Sequence, residues 1–102
     1  WVLGNKAVFG GFEIFRWTGS TFVKIPGAAV RIDVDPNGNP WVVNAFGVIY
    51  RWKNNTWQAL PGRASDISVG SNGAVWIIGT SKIAGGHDIY RWNEKRQNWD
   101  RI

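Results

Sequence analysis

The sequence contains no cysteine and no methionine among its 102 residues. Without cysteine there is no disulfide bridge, no thiol catalysis and no thiolate metal site, and the cellular compartment is left undecided. The lack of methionine at position 1 predicts a processed or trimmed chain, or an excerpt of a longer protein. No apolar run is long enough to span a bilayer, so the sequence predicts no membrane span.

Tryptophan, by contrast, is abundant and regularly placed. All eight tryptophans fall into three columns of a pattern that recurs roughly every 35 to 40 residues. Phe22 fills the one position of this pattern that the tryptophans leave. Registers this regular indicate duplication of one unit. The columns are Trp1, Trp41 and Trp76; Trp17, Trp52 and Trp92; and Phe22, Trp57 and Trp99. The first column is predicted to be core, because a large aromatic at the same place in each unit packs against the next unit.

Each unit reads as short strands separated by tight turns. Asn37-Gly38 and Asn72-Gly73 stand between alternating apolar runs, and an Asn-Gly pair adopts the positive φ angles of a tight hairpin. Pro26-Gly27 and Pro61-Gly62 are predicted as turns into the following unit. No segment has a sustained apolar period near 3.6 residues, so no helix is expected. Antiparallel units of four strands at this spacing favour the blades of an all-β β-propeller.

One unit, residues 41–76, carries a specific combination of motifs. It reads Trp41-Val42-Val43-Asn44, then Ile49-Tyr50-Arg51-Trp52, then Trp57 followed by Leu60-Pro61-Gly62. This pattern resembles the repeats of the tectonin-type β-propeller family, and the resemblance extends over the whole chain. The family is lectin-like, so the resemblance implies carbohydrate binding at several sites. The chain departs from the family pattern at Gly4 and Gly79 in place of the asparagine, at Phe22, and at Asp33-Val34-Asp35.

The chain is expected to be a single set of propeller units over residues 1–102. The repeats are predicted at about 1–27, 28–62 and 63–102, and the first lacks its first strand. Propellers of the family are expected to have six blades, so three units per chain imply a ring completed by other units. Two copies that associate as a homodimer provide them, and so does a longer chain of which these residues are half.

Candidate ligand contacts lie in the motif Ile-Tyr-Arg-Trp and beside it. Trp17, Trp52 and Trp92 are favoured as core residues, although an exposed indole face beside polar donors also suits a sugar. The preceding arginines lie on the opposite face of the strand. Each packs across a boundary between units or donates hydrogen bonds to a ligand. Asn44 either caps a turn or accepts a hydrogen bond from a ligand hydroxyl. The three arginines are Arg16, Arg51 and Arg91.

Two connections between strands are longer than the third. The segments from Gly4 to Ile14 and from Gly79 to Ile89 are predicted as glycine-rich loops that shape concave sites between blades. The second loop, which includes Ala84 and Gly85, carries His87, the only histidine. It is a candidate ligand contact, but a solvated loop residue is the favoured interpretation. Without a second histidine or a cysteine, no metal site is predicted there.

Other chemistries find little support in the sequence. Residues 33–38 match the opening of a calcium loop but lack its closing glutamate and its helices, so no metal and no cofactor are predicted. No nucleophile motif and no recurring carboxylate pair is present, so the protein is not expected to be an enzyme. The net charge of +5 keeps anionic partners in view, but the cations are dispersed, and nucleic acid is not favoured. The prediction is a multivalent, carbohydrate-binding lectin that binds glycans; the alternative is a non-enzymatic scaffold that docks proteins or anionic lipids.

Overall fold

The computed structural model of the protein describes residues 1–83 and 86–102, and of residues 81–83 only the backbone. Within these ranges the chain consists of β-strands and turns and contains no helix. The predicted all-β class is therefore confirmed. The strands are β1 (Val2–Val8), β2 (Gly11–Trp17), β3 (Phe22–Ala29), β4 (Arg31–Val34), β5 (Pro40–Val43), β6 (Val48–Lys53), β7 (Thr56–Val69), β8 (Val75–Ile83), β9 (Gly86–Asn93) and β10 (Asn98–Arg101).

The strands form two antiparallel sheets. The first sheet has the order β1-β2-β3, and the second has the order β10-β9-β8-β7-β6-β5-β4. Strand β7 is 14 residues long. Its beginning pairs with β6, where Trp57 lies opposite Trp52, and its end pairs with β8, where Ile67 lies opposite Ile77. The second sheet thus has two halves that share β7. The first half contains β4–β6 and residues 56–60, and the second half contains residues 64–69 and β8–β10.

The prediction that both Pro-Gly pairs form turns is wrong. The structure places Pro26-Gly27 within β3 and Pro61-Gly62 within β7. The register of the ladder shifts beside each pair, so that proline and glycine bulge out while pairing continues on both sides. Gly27 and Gly62 have φ angles of 115° and 85°, which other residues adopt only with strain. A glycine bulge therefore bends each strand without ending it.

The two long connections are also not the loops that the sequence predicts. Strands β1 and β2 continue their ladder almost to the tip, where Val8 lies opposite Gly11. Strands β8 and β9 likewise extend to the pair Ile83 and Gly86. The ends of these ladders carry residues of high β-propensity, Val8 and Phe12 in the first and Ile83 in the second, which favour pairing beyond the glycine-based expectation. The predicted loop positions Ala84 and Gly85 lie outside the described residues.

Two apolar clusters separate three layers. One cluster, which includes Ile14, Ile25 and Val42, lies between the first sheet and the first half of the second sheet. The other, which includes Trp41 and Val43, lies between the two halves. Side chains alternate between the faces of a strand, so β5 packs against neighbours on both sides. All four of its residues are buried.

Candidate functional site

The contact between the two halves of the second sheet is named here the second junction, and Arg51 lies at its centre. The side chain is buried, with 7% of its surface exposed. Its guanidinium donates to Glu94 at 2.8 Å and 3.1 Å and to Gln58 Oε1 at 2.8 Å. It also lies 5.4 Å and 5.5 Å from the ring centroids of Trp41 and Trp92. Arg51 is thus engaged within the protein, as the packing interpretation expects.

Glu94 receives several hydrogen bonds in this junction. Besides the guanidinium of Arg51, the indole N–H of Trp92 donates to its carboxylate. The hydrogen bonds from Arg51, which favour the charged form, lower the pKa of Glu94 from 4.5 to about 2. Glu94 therefore stays ionised at every pH near neutrality, and the ion pair connects β6 to the turn after β9.

The contact between the first sheet and the first half is the first junction, and it repeats this aromatic design. The guanidinium of Arg16 lies 5.8 Å from the ring centroid of Trp1. Trp1 in turn meets Trp52 edge to face at 5.5 Å, and Trp52 meets Trp57 in the same way at 4.9 Å. Trp52 and Arg51 face opposite neighbours, as the alternation along β6 predicts. The structure places Trp52 in an aromatic cluster rather than beside an open site.

Four other residues of the repeated columns lie on faces of the sheets on which no described sheet packs. They are Trp17, Phe22, Trp76 and Arg91. Trp17 is 52% exposed and meets Phe22 edge to face at 4.9 Å. Trp76 is 37% exposed and lies under the guanidinium of Arg91, 5.6 Å from it. The prediction that Trp1, Trp41 and Trp76 form one core column holds for Trp41, which is 5% exposed. It fails for Trp76, because no sheet packs on that face of the described chain.

Asn44 is held in the turn between β5 and β6. Its Oδ1 accepts hydrogen bonds from the backbone N–H groups of Phe46 at 2.9 Å and Val48 at 3.0 Å. This is the turn-capping role that the sequence offers as one interpretation. The carbonyl oxygen is thereby occupied, and the amide nitrogen is the part of Asn44 that remains for a ligand.

His87 lies in β9 and is half-buried, so its prediction as a solvated loop residue is wrong. Its Nδ1 is buried and has no hydrogen-bond partner among the described residues. No cluster of three metal-binding side chains occurs in the described part of the chain. The calcium-like segment is also engaged internally. Asp35 accepts from two backbone N–H groups and from the indole of Trp41, and Asp33 accepts from the N–H of Val69.

A cleft opens at each junction, at the same place in the repeated pattern. The first cleft has a volume of about 310 Å³ and the second about 380 Å³. Both lie between a Pro-Gly bulge and the aromatic side chains of the following repeat. Six positions that correspond in the two repeats line both clefts. They are Gly27, Ala28, Val42, Asn44, Tyr50 and Trp57 in the first and Gly62, Arg63, Ile77, Gly79, Tyr90 and Trp99 in the second.

An indole hydrogen bond closes one wall of each cleft. Trp57 donates from Nε1 to the carbonyl oxygen of Pro26 at 2.6 Å, and Trp99 donates to that of Pro61 at 2.9 Å. A Cβ atom on Gly27 would lie 3.2 Å from Trp57 Nε1, so the glycine leaves room for the indole. The sequence prediction missed Trp57, Trp99 and the two tyrosines as cleft residues. The sequence did contain a signal for the two indoles. Each tryptophan of the last column follows a Pro-Gly pair in the preceding unit, as Trp57 follows Pro26-Gly27 and Trp99 follows Pro61-Gly62.

The two clefts differ at their rims. Phe9, 91% exposed, and Phe46 contact each other beside the first cleft, with ring centroids 5.2 Å apart. At the position of Ala28, the second cleft has Arg63, accompanied by Thr80 and Asn98. Among the described residues, the guanidinium of Arg63 makes its hydrogen bond to the carbonyl of Gly62. The first rim is therefore aromatic, and the second is polar and cationic.

The comparisons agree with the repeat pattern. Among the described residues, none belongs to a helix that is long and apolar enough to cross a membrane. Comparison with curated proteins finds no match. The model of the Tectonin domain family matches residues 5–102, which is nearly the whole chain. The chain therefore belongs to the Tectonin domain family.

Proposed function

We propose that the protein is a non-enzymatic lectin that binds glycans in the clefts of its two junctions. The observation that carries this proposal is the recurrence of one cleft design at both junctions. A unique reaction centre requires one special set of residues, whereas repeated positions suit repeated binding. Membership of the Tectonin domain family supports the same proposal, because lectins are expected in that family.

The chemistry of the clefts suits a sugar. A pyranose presents weakly polar C–H faces together with hydroxyl groups, so its site combines an aromatic wall with a few fixed polar groups. Trp57 and Tyr50 supply the wall of the first cleft, and the amide nitrogen of Asn44 supplies a donor. Trp99 and Tyr90 supply the wall of the second. The volumes, about 310 Å³ and 380 Å³, correspond to one or two sugar rings at the low end of the range for ligand sites.

The rims indicate a difference in ligand preference. The exposed Phe9 and Phe46 favour a neutral sugar at the first cleft, because the faces of aromatic rings are negative and pack against C–H groups better than against an anion. Arg63 favours a sugar that carries a carboxylate or sulfate at the second cleft, since a guanidinium binds such groups in a bidentate manner. The protein thus combines two related sites of different charge preference.

The repeats at 1–27, 28–62 and 63–102 are proposed as propeller blades, in a ring that a second copy or further repeats complete. Each site is open and expected to bind weakly. Several sites in one assembly raise the apparent affinity for a surface that carries many copies of a glycan, because the second binding event becomes intramolecular.

A glycan array screened at low and high salt tests the proposal. We expect binding to defined neutral glycans that persists at high salt. The Phe9→Ala variant removes an exposed ring without touching the core and is expected to weaken this binding several-fold. Lys95→Ala, which changes an exposed residue that lines neither cleft, serves as the control and should leave the binding unchanged.

Two outcomes contradict the proposal. The absence of glycan binding at either salt concentration would remove its basis. Binding only to acidic glycans that disappears with salt would indicate non-specific attraction to the net charge of +5. The second result would favour the alternative, a scaffold that docks proteins or anionic lipids.

A further inference from the structure

Two exposed apolar surfaces of the chain correspond to the two sides of its own junctions. The trailing face, on the second half of the second sheet, consists of Trp76, Ile78, Ile89 and Arg91, and all four are exposed. The leading face, on the first sheet, consists of Val2, Phe15, Trp17 and Phe22, of which all but Phe15 are exposed. The two faces hold six of the large apolar side chains that are exposed in the described chain.

The second junction shows what covers a surface like the trailing face. The residues of the first half at the corresponding positions are Trp41, Val43, Ile49 and Arg51. They are 5%, 1%, 0% and 7% exposed, because the second half packs on them. At the trailing face, Trp76, Ile78 and Ile89 are 37%, 39% and 48% exposed. The same pattern is thus covered in one repeat and open in the next.

The same junction shows what covers a surface like the leading face. Trp92 and Trp99, 4.9 Å apart and edge to face, contribute the opposite side of the second junction. Trp52 and Trp57 do so at the first junction, also at 4.9 Å. Trp17 and Phe22 have the corresponding positions and the same separation of 4.9 Å, but they are 52% and 51% exposed. The leading face therefore presents the same aromatic pair that packs, at the other two junctions, against a tryptophan and an arginine of the neighbouring layer.

We propose that the trailing face of one copy docks on the leading face of a second copy, as a third junction. In this contact Trp17 and Phe22 of one copy pack against Trp76 of the other, and Arg91 lies over the aromatic rings. The leading face offers no residue like Glu94, but the first junction forms without one, with Arg16 over Trp1. Burial of the aromatic side chains supplies the stabilisation. The inference rests on the proposed completion of the ring by a second copy, and it does not depend on glycan binding.

The contact is head to tail, so it uses two different surfaces of the chain. This distinguishes it from a two-fold contact in which a face meets its own copy. The distinction is open to experiment, because each face can be blocked separately. Trp17→Glu introduces a charge on the leading face, and Ile89→Glu introduces one on the trailing face. Both side chains are about half exposed, so neither substitution creates a cavity in the core.

Sedimentation over a range of concentrations measures the association. We expect the unmodified protein to sediment as two or more copies of the 11.4 kDa chain. Each variant alone should sediment as one chain, while an equal mixture of the two should contain a species of twice that mass. The mixture joins the intact trailing face of one variant to the intact leading face of the other. Lys95→Glu, a change at an exposed residue on neither face, should associate like the unmodified protein.

Far-UV circular dichroism of each variant controls for folding, because an unfolded variant would not complement its partner. Three results would overturn the proposal. One is an unmodified protein that stays a single chain at all concentrations. Another is a single-face variant that still associates with itself, which would indicate a two-fold contact. The last is an associating unmodified protein whose two variants are folded and do not combine.

Discussion

The carboxylate of Glu94 and the guanidinium of Arg51 are 2.8 Å apart, although 43 positions separate the two residues in the chain. The arginine is buried and the glutamate is largely exposed. Their pair joins the two halves of the second sheet from the solvent side of the junction. The carboxylate thus satisfies a guanidinium that aromatic rings otherwise surround.

The first prediction concerns the pH dependence of this pair. The pKa of Glu94 is lowered to about 2 in the folded protein, so its contribution to stability is present above the unfolded value near 4.5. The contribution is lost as the pH falls from about 4.5 to about 2. Glu94→Gln should therefore lower the free energy of unfolding at pH 7 and have little effect near pH 2. Urea unfolding at both pH values measures the difference.

The matched control is Glu13→Gln. Glu13 pairs with Lys24 at 2.8 Å, and its pKa is also lowered, first by the hydrogen bond from Lys24. That pair lies within the first sheet and crosses no junction. A loss at pH 7 that is as large for Glu13→Gln as for Glu94→Gln would contradict a special role for the junction.

The second prediction compares Arg51 with Arg16, which have the same position in two repeats. Arg51→Met removes a buried guanidinium with charge-assisted hydrogen bonds, and we expect a loss of about 2 to 3 kcal/mol. Arg16→Met removes a half-buried guanidinium whose described contact is the ring of Trp1, and we expect a loss of under about 1 kcal/mol. Thermal and urea unfolding of both variants test the order. Equal losses would show that the Glu94 pair adds nothing.

The third prediction separates the two roles of Asn44. Asn44→Asp keeps an acceptor oxygen for the N–H groups of Phe46 and Val48, so the turn should retain its stability. Asn44→Ala loses both hydrogen bonds and should cost roughly 1 kcal/mol. If the amide nitrogen donates to a ligand, both variants bind neutral glycans more weakly. Unchanged glycan binding by a stable Asn44→Asp protein would limit Asn44 to its turn.

The fourth prediction concerns the space that Gly27 leaves for Trp57. Gly27→Ala combines a positive φ of 115° with a Cβ atom 3.2 Å from the indole nitrogen. Gly38→Ala has a similar φ of 82° but no atom within 4 Å of the new Cβ. Both substitutions place an alanine at a positive φ, which costs about 1 to 2 kcal/mol. Gly27→Ala should cost more and should weaken binding at the first cleft, whereas Gly38→Ala should affect stability alone.

Much of the local structure follows from the sequence pattern. The apolar alternation predicts strands, and the position of Arg51 next to Trp52 predicts that the two side chains face opposite neighbours. Both expectations are confirmed. The recurrence of the motifs also predicts the family, because three independent motifs keep a common order along the chain.

The clefts and the shared strand were harder to predict. A cleft depends on which repeat meets which face of its neighbour, and this information is not local. Pro61-Gly62 resembles a turn because both residues usually end a strand. The structure instead continues β7 through the pair, since hydrogen bonds to β6 and then to β8 outweigh the local preference. The ligand roles of all the candidate residues stay predictions, namely those of Asn44, Arg16, Arg51, Arg91, Trp17, Trp52, Trp92 and His87.

The shared strand β7 has a consequence for the way the protein unfolds. Because one continuous strand pairs with β6 through residues 56–60 and with β8 through residues 64–69, a displacement of β7 disrupts the ladders of both halves of the second sheet. The first sheet has no such strand in common with its neighbour. Its contacts are side-chain packing and a few hydrogen bonds, such as those from Ala45 to Gly10 and from Trp57 to Pro26. The amides of β2 should therefore exchange hydrogen through a local opening, while those of β6 and β8 exchange together, as one cooperative unit.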